Sequence, residues 1–258
     1  MTRTKQGLER STPLVIKKGV SSHKQTIKKL AVLTSGGDAP GMNAAIRSVV
    51  RTALYYGLDV VGAYHGYQGL TVRDFVRFNA SSVGSIIHQG GTILKSSRFP
   101  EFKEKSVRQQ AVEVMKEEGI DGLVVIGGDG TFTGAHILSE EFGVPVAGVP
   151  ATIDNDLYGT DVTIGFDTAI NTALNAIDNI RDTASAHDRI FIIEVMGRNS
   201  GYIGVDVGIA GGAEAIVIPE RHQGPDEIAE QIKRGRDRGK SYSIIVVAEG
   251  ETPGNSME

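Results

Sequence analysis

The sequence has no cysteine and no tryptophan. Without cysteine there are no disulfides, thiolate zinc sites or thiol nucleophiles. No apolar run is long enough to span a bilayer, so no membrane partner is expected. The amino terminus carries no apolar core of a secretory signal. Positive charge is not in excess: the formal net charge is −4. No nucleic-acid partner is expected from that balance, although a local basic site is compatible with it. These absences leave a cytoplasmic enzyme as the expectation.

What is present is a chain of 258 residues, 40% hydrophobic and 22% charged. That suits one large globular domain or two smaller ones. The 33 glycines gather at the ends of apolar runs, as in "TSGGDAPG" and "VIGGDG". Glycine there lets the backbone turn sharply or approach a ligand. Read singly, each is also a tight turn and nothing more.

Residues 1–28 stand apart. Arg3, Lys5, Arg10, Lys17, Lys18, Lys24 and Lys28 face one acid, Glu9, without periodicity. A flexible basic tail is expected, with an organelle presequence as the alternative. From Lys29 apolar runs alternate with helical patterns. Strands are expected at "KLAVLTS", "DVVGAYH", "GLVVIGG", "VPVAGVP", "RIFIIEVM", "AEAIVIP" and "YSIIVVAEG". Helices are expected over Met42–Tyr56, Lys103–Glu118, Gly130–Phe142, Asp167–Ala186, Ser200–Ala210 and Pro225–Arg238. The alternation implies right-handed crossovers and mostly parallel sheets covered on both faces. Ligands in such sheets bind at the carboxyl ends of strands. The Gly-rich and acidic segments fall there, after Ser35, Ile126, Val149 and Val195. The long loop around 159–165 suggests a domain break. The sequence stops just after a strand, with no returning helix in "ETPGNSME", and is therefore expected to be incomplete.

"TSGGDAPGMN" joins a strand to a helix, and backbone N–H groups in such a turn can form an anion site. It is neither a P-loop nor a dinucleotide fingerprint; alone, it is equally a tight turn. "IGGDGTFTG" repeats the arrangement with Asp129 embedded. That acid reads as a Mg²⁺ ligand beside phosphate-cradling amides or as the N-cap of the following helix. In "TIDNDLYGTD", Asp154 and Asp156 lie two apart, so in an extended segment they share one side. One carboxylate would then serve a metal and another a general base, with the Thr152 hydroxyl nearby. Alone, the stretch also reads as an acidic surface turn. Arg98 and Arg198 are candidate cations for developing charge. Arg47 and Arg51 sit one turn apart on a helix, and an anion between them would relieve their repulsion. Arg238 and Lys240 are candidates for a similar anion site. All of these cations also read as ordinary surface charge.

Taken together, "LTSGGDAPGMNAAIRSVVR", "YHGYQGL", "GGTILKSSRFPEF", "VVIGGDGT", "TIDNDLYGTD", "TIGFDTA", "EVMGRNSGY" and "GGAE" closely resemble the 6-phosphofructokinase family, from about Lys29 onward. "GGDGT" alone is shared with NAD and lipid kinases. The resemblance implies two Rossmann-like three-layer α/β/α domains: a nucleotide domain at 29–163 and a sugar-phosphate domain at 164–258, incomplete at its end. It implies a glycolytic phosphotransferase moving phosphate from ATP to the 1-hydroxyl of fructose 6-phosphate. Asp154 would be the base, with Thr152, Arg198, Arg98 and Gly37 attending the transferred group. Tyr67, Phe99, Gly128, Asp129, Gly130, Thr131 and Gly134, together with Gly37 and Arg98, would bind ATP. Mg²⁺ would sit on Asp129 and Asp156. Asp156, Arg189, Met196, Gly197 and Glu249 would join Thr152, Asp154 and Arg198 at the sugar phosphate. Arg189 would do so across a subunit interface, implying a homotetramer. Arg47, Arg51, Arg181, Gly212, Glu214, Arg238 and Lys240 match the family's allosteric site for a nucleotide such as ADP.

Pyrophosphate-dependent members resemble "GGDD" where this chain has Gly130, and "PKTIDND" where it has Ala151. Gly130 leaves room for nucleotide phosphates and Ala151 brings no cation, so ATP is the expected donor. Ala151 is a departure, since ATP users commonly have glycine there. A pyrophosphate-dependent kinase and a non-catalytic nucleotide-binding regulatory fragment are the alternatives.

Overall fold

In a computed structural model, residues 27–221 and 223–250 are described. The expected basic tail lies outside them apart from its last two residues, and the segment read as lacking a returning helix lies outside them too. Within them, aliphatic runs build two sheets. The first has six strands in the order β3-β2-β1-β4-β5-β6: β1 (Lys29–Ser35), β2 (Asp59–Ala63), β3 (Phe75–Phe78), β4 (Gly122–Gly127), β5 (Val146–Thr152) and β6 (Ile164–Gly165). All its pairings are parallel except β2 with β3. The second has three parallel strands in the order β7-β9-β8: β7 (Ile190–Val195), β8 (Ala215–Val217) and β9 (Ser243–Ala248).

Burial on both faces explains why β1, β4 and β9 are apolar without alternation; β7 leaves Ile190 and Ile192 exposed. On one face of the first sheet, Ala31, Leu33 and Leu123 pack with Ala111 and Met115 of α3 (Lys105–Glu117) and Leu138 of α4 (Asp129–Phe142). On the other face, Val32 and Ile126 meet Met42, Ile46 and Val50 of α1 (Met42–Tyr55). These three recur at i, i+4 and i+8, one stripe of a helix. The second sheet is layered likewise. Ile244 and Val246 face α5 (Phe166–His187) and α6 (Tyr202–Ala210), while Ile245 and Val247 face Ile228 and Ile232 of α7 (Pro225–Asp237). The expected α/β class with mostly parallel sheets is observed.

Between β2 and α3 the sequence shows no helix or strand pattern. The structure puts there α2 (Tyr67–Val72), the antiparallel β3 and a 3₁₀ turn at Pro100–Lys103. Six and four residues are too few for either periodicity to register, and Gly69 interrupts the helical pattern. The 3₁₀ turn delays α3, which begins at Lys105 rather than Lys103. The first sheet also takes in Ile164 and Gly165, at the end of the stretch 159–165 where the domain break is expected.

Asp121 ties two strands together at their amino ends. Its Oδ2 accepts the backbone N–H groups of Lys28 at 2.8 Å and Lys29 at 3.0 Å. These bonds hold its carboxyl below the ordinary carboxylate range. A carboxylate depressed in the folded state adds stability above its unfolded pKa and loses it as pH falls through the folded value. Asp121→Asn is therefore expected to lower the urea midpoint at pH 7. The two midpoints should converge as pH falls below the ordinary aspartate value of about 3.9.

Candidate functional site

The carboxyl ends of β1 and β4 can lie side by side because Gly127 has no side chain. A Cβ there would stand 2.5 Å from both the Ser35 carbonyl and Thr131 Oγ1. Thr131 Oγ1 instead donates to the Ser35 carbonyl at 3.0 Å. The turn after β1 uses Gly36 at φ 88°, a conformation open to glycine. It is braced by the loop that carries Arg98: Gly36 N–H donates to the Ser97 carbonyl at 3.2 Å, and Ser96 Oγ to the Gly36 carbonyl at 2.6 Å. Both glycine-rich turns thus form one floor, with the N-terminus of α4 opening onto it. Gly128 takes the N-cap position without a side-chain cap, and Asp129 is the first helical residue. The N-cap alternative for Asp129 is therefore not realised; its carboxylate is exposed.

Over this floor lies a cleft of about 690 Å³. It brings together Gly37, Tyr67, Arg98, Phe99, Gly128, Asp129, Gly130, Thr131, Gly134, Thr152, Asp154, Met196, Arg198 and Glu249, most of the residues singled out from sequence. Gly37 and Gly130 have no packing reason to be glycine: an added Cβ meets nothing within 4 Å at either. Tyr67 is only 4% exposed. Its hydroxyl donates to the Thr131 carbonyl at 2.5 Å, and its ring stacks on Phe102 with centroids 4.0 Å apart. Burial raises its pKa above the usual tyrosine value. Tyr67 thus holds the cleft wall, and its hydroxyl is already spent.

Asp154 is the buried acid of the cleft, 6% exposed. Its Oδ2 lies 4.0 Å from Arg198 Nε, and its backbone N–H donates to Thr152 Oγ1 at 3.2 Å. Burial first, then the nearby Asp156 charge, raises its carboxyl above the ordinary range, while Arg198 pulls the other way. Arg198 comes from the end of β7 on a left-handed residue, φ 54°. Its backbone N–H donates to Glu249 Oε1 at 2.6 Å. Met196 is 58% exposed in the same wall. Positive φ on a bulky residue inside a cleft is strain held by its surroundings. The arrangement offers a poised base, cations and backbone amides around one space, the equipment of phosphoryl transfer.

Three expected residues are not brought to the cleft: Asp156, Arg189 and Gly197. The extended segment expected at 154–156 is absent, because Asn155 adopts φ 52° and the chain reverses. Asp156 is exposed and reaches Asp154 only by its charge. Arg189 sits at the amino end of β7, about 23 Å of strand from Met196. Lys103 and Arg108 line the cleft but were not singled out. Arg108 donates to both Glu141 carboxylate oxygens, at 2.7 and 2.9 Å, and to the carbonyls of Phe102 and Lys103. Their cation spacing in "FKEKSVR" was the available signal. Among the described residues no three His, Asp or Glu cluster as a metal cage. Mg²⁺ commonly takes one or two carboxylates and completes its shell with water and phosphate oxygens. Asp129 fits that mode; Asp156 does not face the same space.

The effector residues fall into two groups. Arg47 is anchored to the carbonyls of Val83 and Gly84, and Arg51 is exposed. Elsewhere Arg181 donates to the Gly211 carbonyl beside Gly212, Lys240 pairs with Glu214, and Glu214 accepts from Ile244 N–H at 2.7 Å. Arg238 Nε donates to the Arg234 carbonyl at 3.1 Å. No hydrogen bond or ion pair among the described residues joins the two groups.

The family model "Phosphofructokinase" matches residues 29–258. An ATP-dependent 6-phosphofructokinase of Halothermothrix orenii is 59% identical over 224 residues, 87% of this chain and 68% of that protein. Among solved structures, phosphofructokinase from Saccharomyces cerevisiae matches with a TM-score of 0.83 and 39% identity, over 86% of this chain and 34% of that one. A pyrophosphate-dependent phosphofructokinase from Marinobacter aquaeolei matches with a TM-score of 0.75 and 26% identity, over 88% of this chain and 61% of that one.

Proposed function

The chain belongs to the phosphofructokinase family, and from that premise we propose that it transfers the terminal phosphoryl group of ATP to the 1-hydroxyl of fructose 6-phosphate. The observation that carries this reading is Asp154, buried and 4.0 Å from Arg198, in one cleft with the amino end of α4. Asp154 takes the proton of the attacking hydroxyl. Arg198 and Arg98 offset charge on the transferred group, and the amides after Gly36 and Gly128 face the phosphates. Thr152 holds the backbone of Asp154 through its hydroxyl. Met196, Gly197 and Glu249 belong to the sugar side. Asp129 would hold Mg²⁺ together with phosphate oxygens, and the metal, when bound, neutralises phosphate charge.

ATP is favoured as donor for two reasons. Nothing occupies the space in front of Gly130, and the residue at 151 is a buried alanine without charge. The ATP-dependent 6-phosphofructokinase of Halothermothrix orenii is 59% identical, and the pyrophosphate-dependent enzyme of Marinobacter aquaeolei 26% identical. We assign residues 29–163 to the nucleotide domain and 164–258 to the sugar-phosphate domain. Arg189, at the amino end of its strand, serves a neighbouring subunit's sugar phosphate in a homotetramer. The cluster of Arg181, Gly212, Glu214, Arg238 and Lys240, with Arg47 and Arg51 as the other group, takes a nucleotide effector such as ADP. Among the described residues no helix is long and apolar enough to cross a membrane, and we place the enzyme in the cytoplasm.

A coupled assay with fructose 6-phosphate, run in parallel with ATP and with pyrophosphate, tests the reading. Turnover with ATP is expected. Turnover with pyrophosphate alone overturns the donor assignment, and turnover with neither favours a regulatory, non-catalytic chain.

A further inference from the structure

We propose that Thr163 and Asn155 are positioning residues for the Asp154 carboxylate, clamping the loop 155–163 onto the strand end that carries Thr152. The proposal rests on the kinase reading of the cleft. Neither residue lines the cleft, so neither touches substrate; they act through Asp154. Thr163 is 2% exposed. Its Oγ1 donates to the Thr152 carbonyl at 2.6 Å, and its backbone N–H donates to Asn155 Oδ1 at 2.9 Å. Asn155 Nδ2 in turn donates to the Asp161 carbonyl at 3.3 Å. The same asparagine supplies the left-handed turn at φ 52°, a conformation its short polar side chain tolerates.

The clamp acts at the corner where the base sits. Asp154 N–H is held by Thr152 Oγ1, and its carbonyl shares the Ser200 hydroxyl with the Gly197 carbonyl, at 3.1 and 3.0 Å. Ser200 lies on the loop that carries Arg198, so this bond joins the base to its cation. Thr163 fixes the chain two residues before Asp154 and one residue after it: the carbonyl of residue 152 directly, the side chain of residue 155 through an N–H. With Thr163 Oγ1 removed, the half-buried Thr152 carbonyl loses this donor and the loop is freed at its closing point. Displacing a reacting group by about 1 Å costs on the order of 10²-fold in rate. A merely structural Thr163 would lower stability without singling out the chemical step.

Thr163→Val keeps the shape and removes the hydroxyl; Thr163→Ser keeps the hydroxyl and removes the methyl. In the full chain, Thr163→Val is expected to lower kcat by about 10–100-fold and leave KM for ATP within about threefold. Thr163→Ser should restore kcat to within about threefold of wild type. Asn155→Gly retains the left-handed turn and loses the acceptor; it should lower kcat as Thr163→Val does, and it serves in its place if the valine variant does not fold. A wild-type kcat in either variant, a loss confined to KM, or a loss that serine does not restore overturns the proposal. Hydrogen exchange at the amides of residues 152–156 reads the clamp without substrate. Exchange should quicken at least about tenfold in Thr163→Val and not in Thr163→Ser; equal exchange in all three proteins overturns the clamp. A wild type that does not phosphorylate the sugar while showing this exchange pattern removes the kinase reading and leaves the clamp standing.

Discussion

Replacing Asp154 with serine slows turnover by about 10²–10⁴-fold, the usual worth of a general base, and leaves nucleotide affinity nearly unchanged. The affinity is expected to be spared because the amides proposed to face the phosphates come from the turns after β1 and β4, while Asp154 lies on the loop after β5. Stability should move the other way. An acid whose pKa is raised in the folded state lowers stability as pH rises, since the unfolded chain ionises it more readily. Asp154 is raised chiefly by burial and next by Asp156. Asp154→Ser is therefore expected to be at least as stable as wild type at pH 7, the trade expected where an active site holds a strained charge. The same shift fixes the pH profile. The base must be ionised to work, so wild-type kcat/KM, which reports the free enzyme, rises with pH through a value above the ordinary carboxylate range, and the serine variant loses that limb. Steady-state kinetics across pH, nucleotide titration and thermal melts check all three. Unchanged turnover in the variant removes Asp154 from its role.

Gly130→Asp is expected to weaken ATP binding at least about tenfold while leaving the fold intact. No packing argument opposes the new side chain, since a Cβ at 130 meets nothing within 4 Å. An acid in the first turn of α4, beside Asp129, even complements the helix dipole. The cost falls on the ligand. Two like charges about 4 Å apart repel by about 4 kcal/mol at an effective dielectric constant of 20, and each 1.4 kcal/mol is tenfold in affinity. Calorimetric titration with ATP, paired with a thermal melt, separates the two effects. Unaltered ATP affinity would mean that the nucleotide phosphates do not approach the start of α4.

Much of this fold is legible in the sequence because buried parallel strands must be apolar on both faces. "KLAVLTS" and "SIIVVA" need no partner to be recognised. The stretch between β2 and α3 was not legible, because α2 and β3 are too short for periodicity and are held by tertiary contacts such as Tyr67 against Phe102. At the site, the glycine-rich turns announce themselves by composition, and the strand ends place them. The geometry of "TIDND" does not follow from spacing. One left-handed residue, Asn155, breaks the extended alternation, and Asp156 is exposed while Asp154 is buried. Arg47 and Arg51 look like a matched pair, but the Arg47 guanidinium is bound to the carbonyls of Val83 and Gly84. Thr163 opens "TIGFDTA", but nothing in that stretch announces its bond to Thr152, eleven residues away.

The most direct test of the central claim is a crystal structure with magnesium, a non-hydrolysable ATP analogue and fructose 6-phosphate. The expected complex lays the triphosphate over Gly37 and the first turn of α4. It also brings the sugar 1-hydroxyl to about 2.6–3.2 Å from an Asp154 carboxylate oxygen, the reach of a general base. A nucleotide bound outside the cleft, or an Asp154 carboxylate turned away from the sugar, would contradict it.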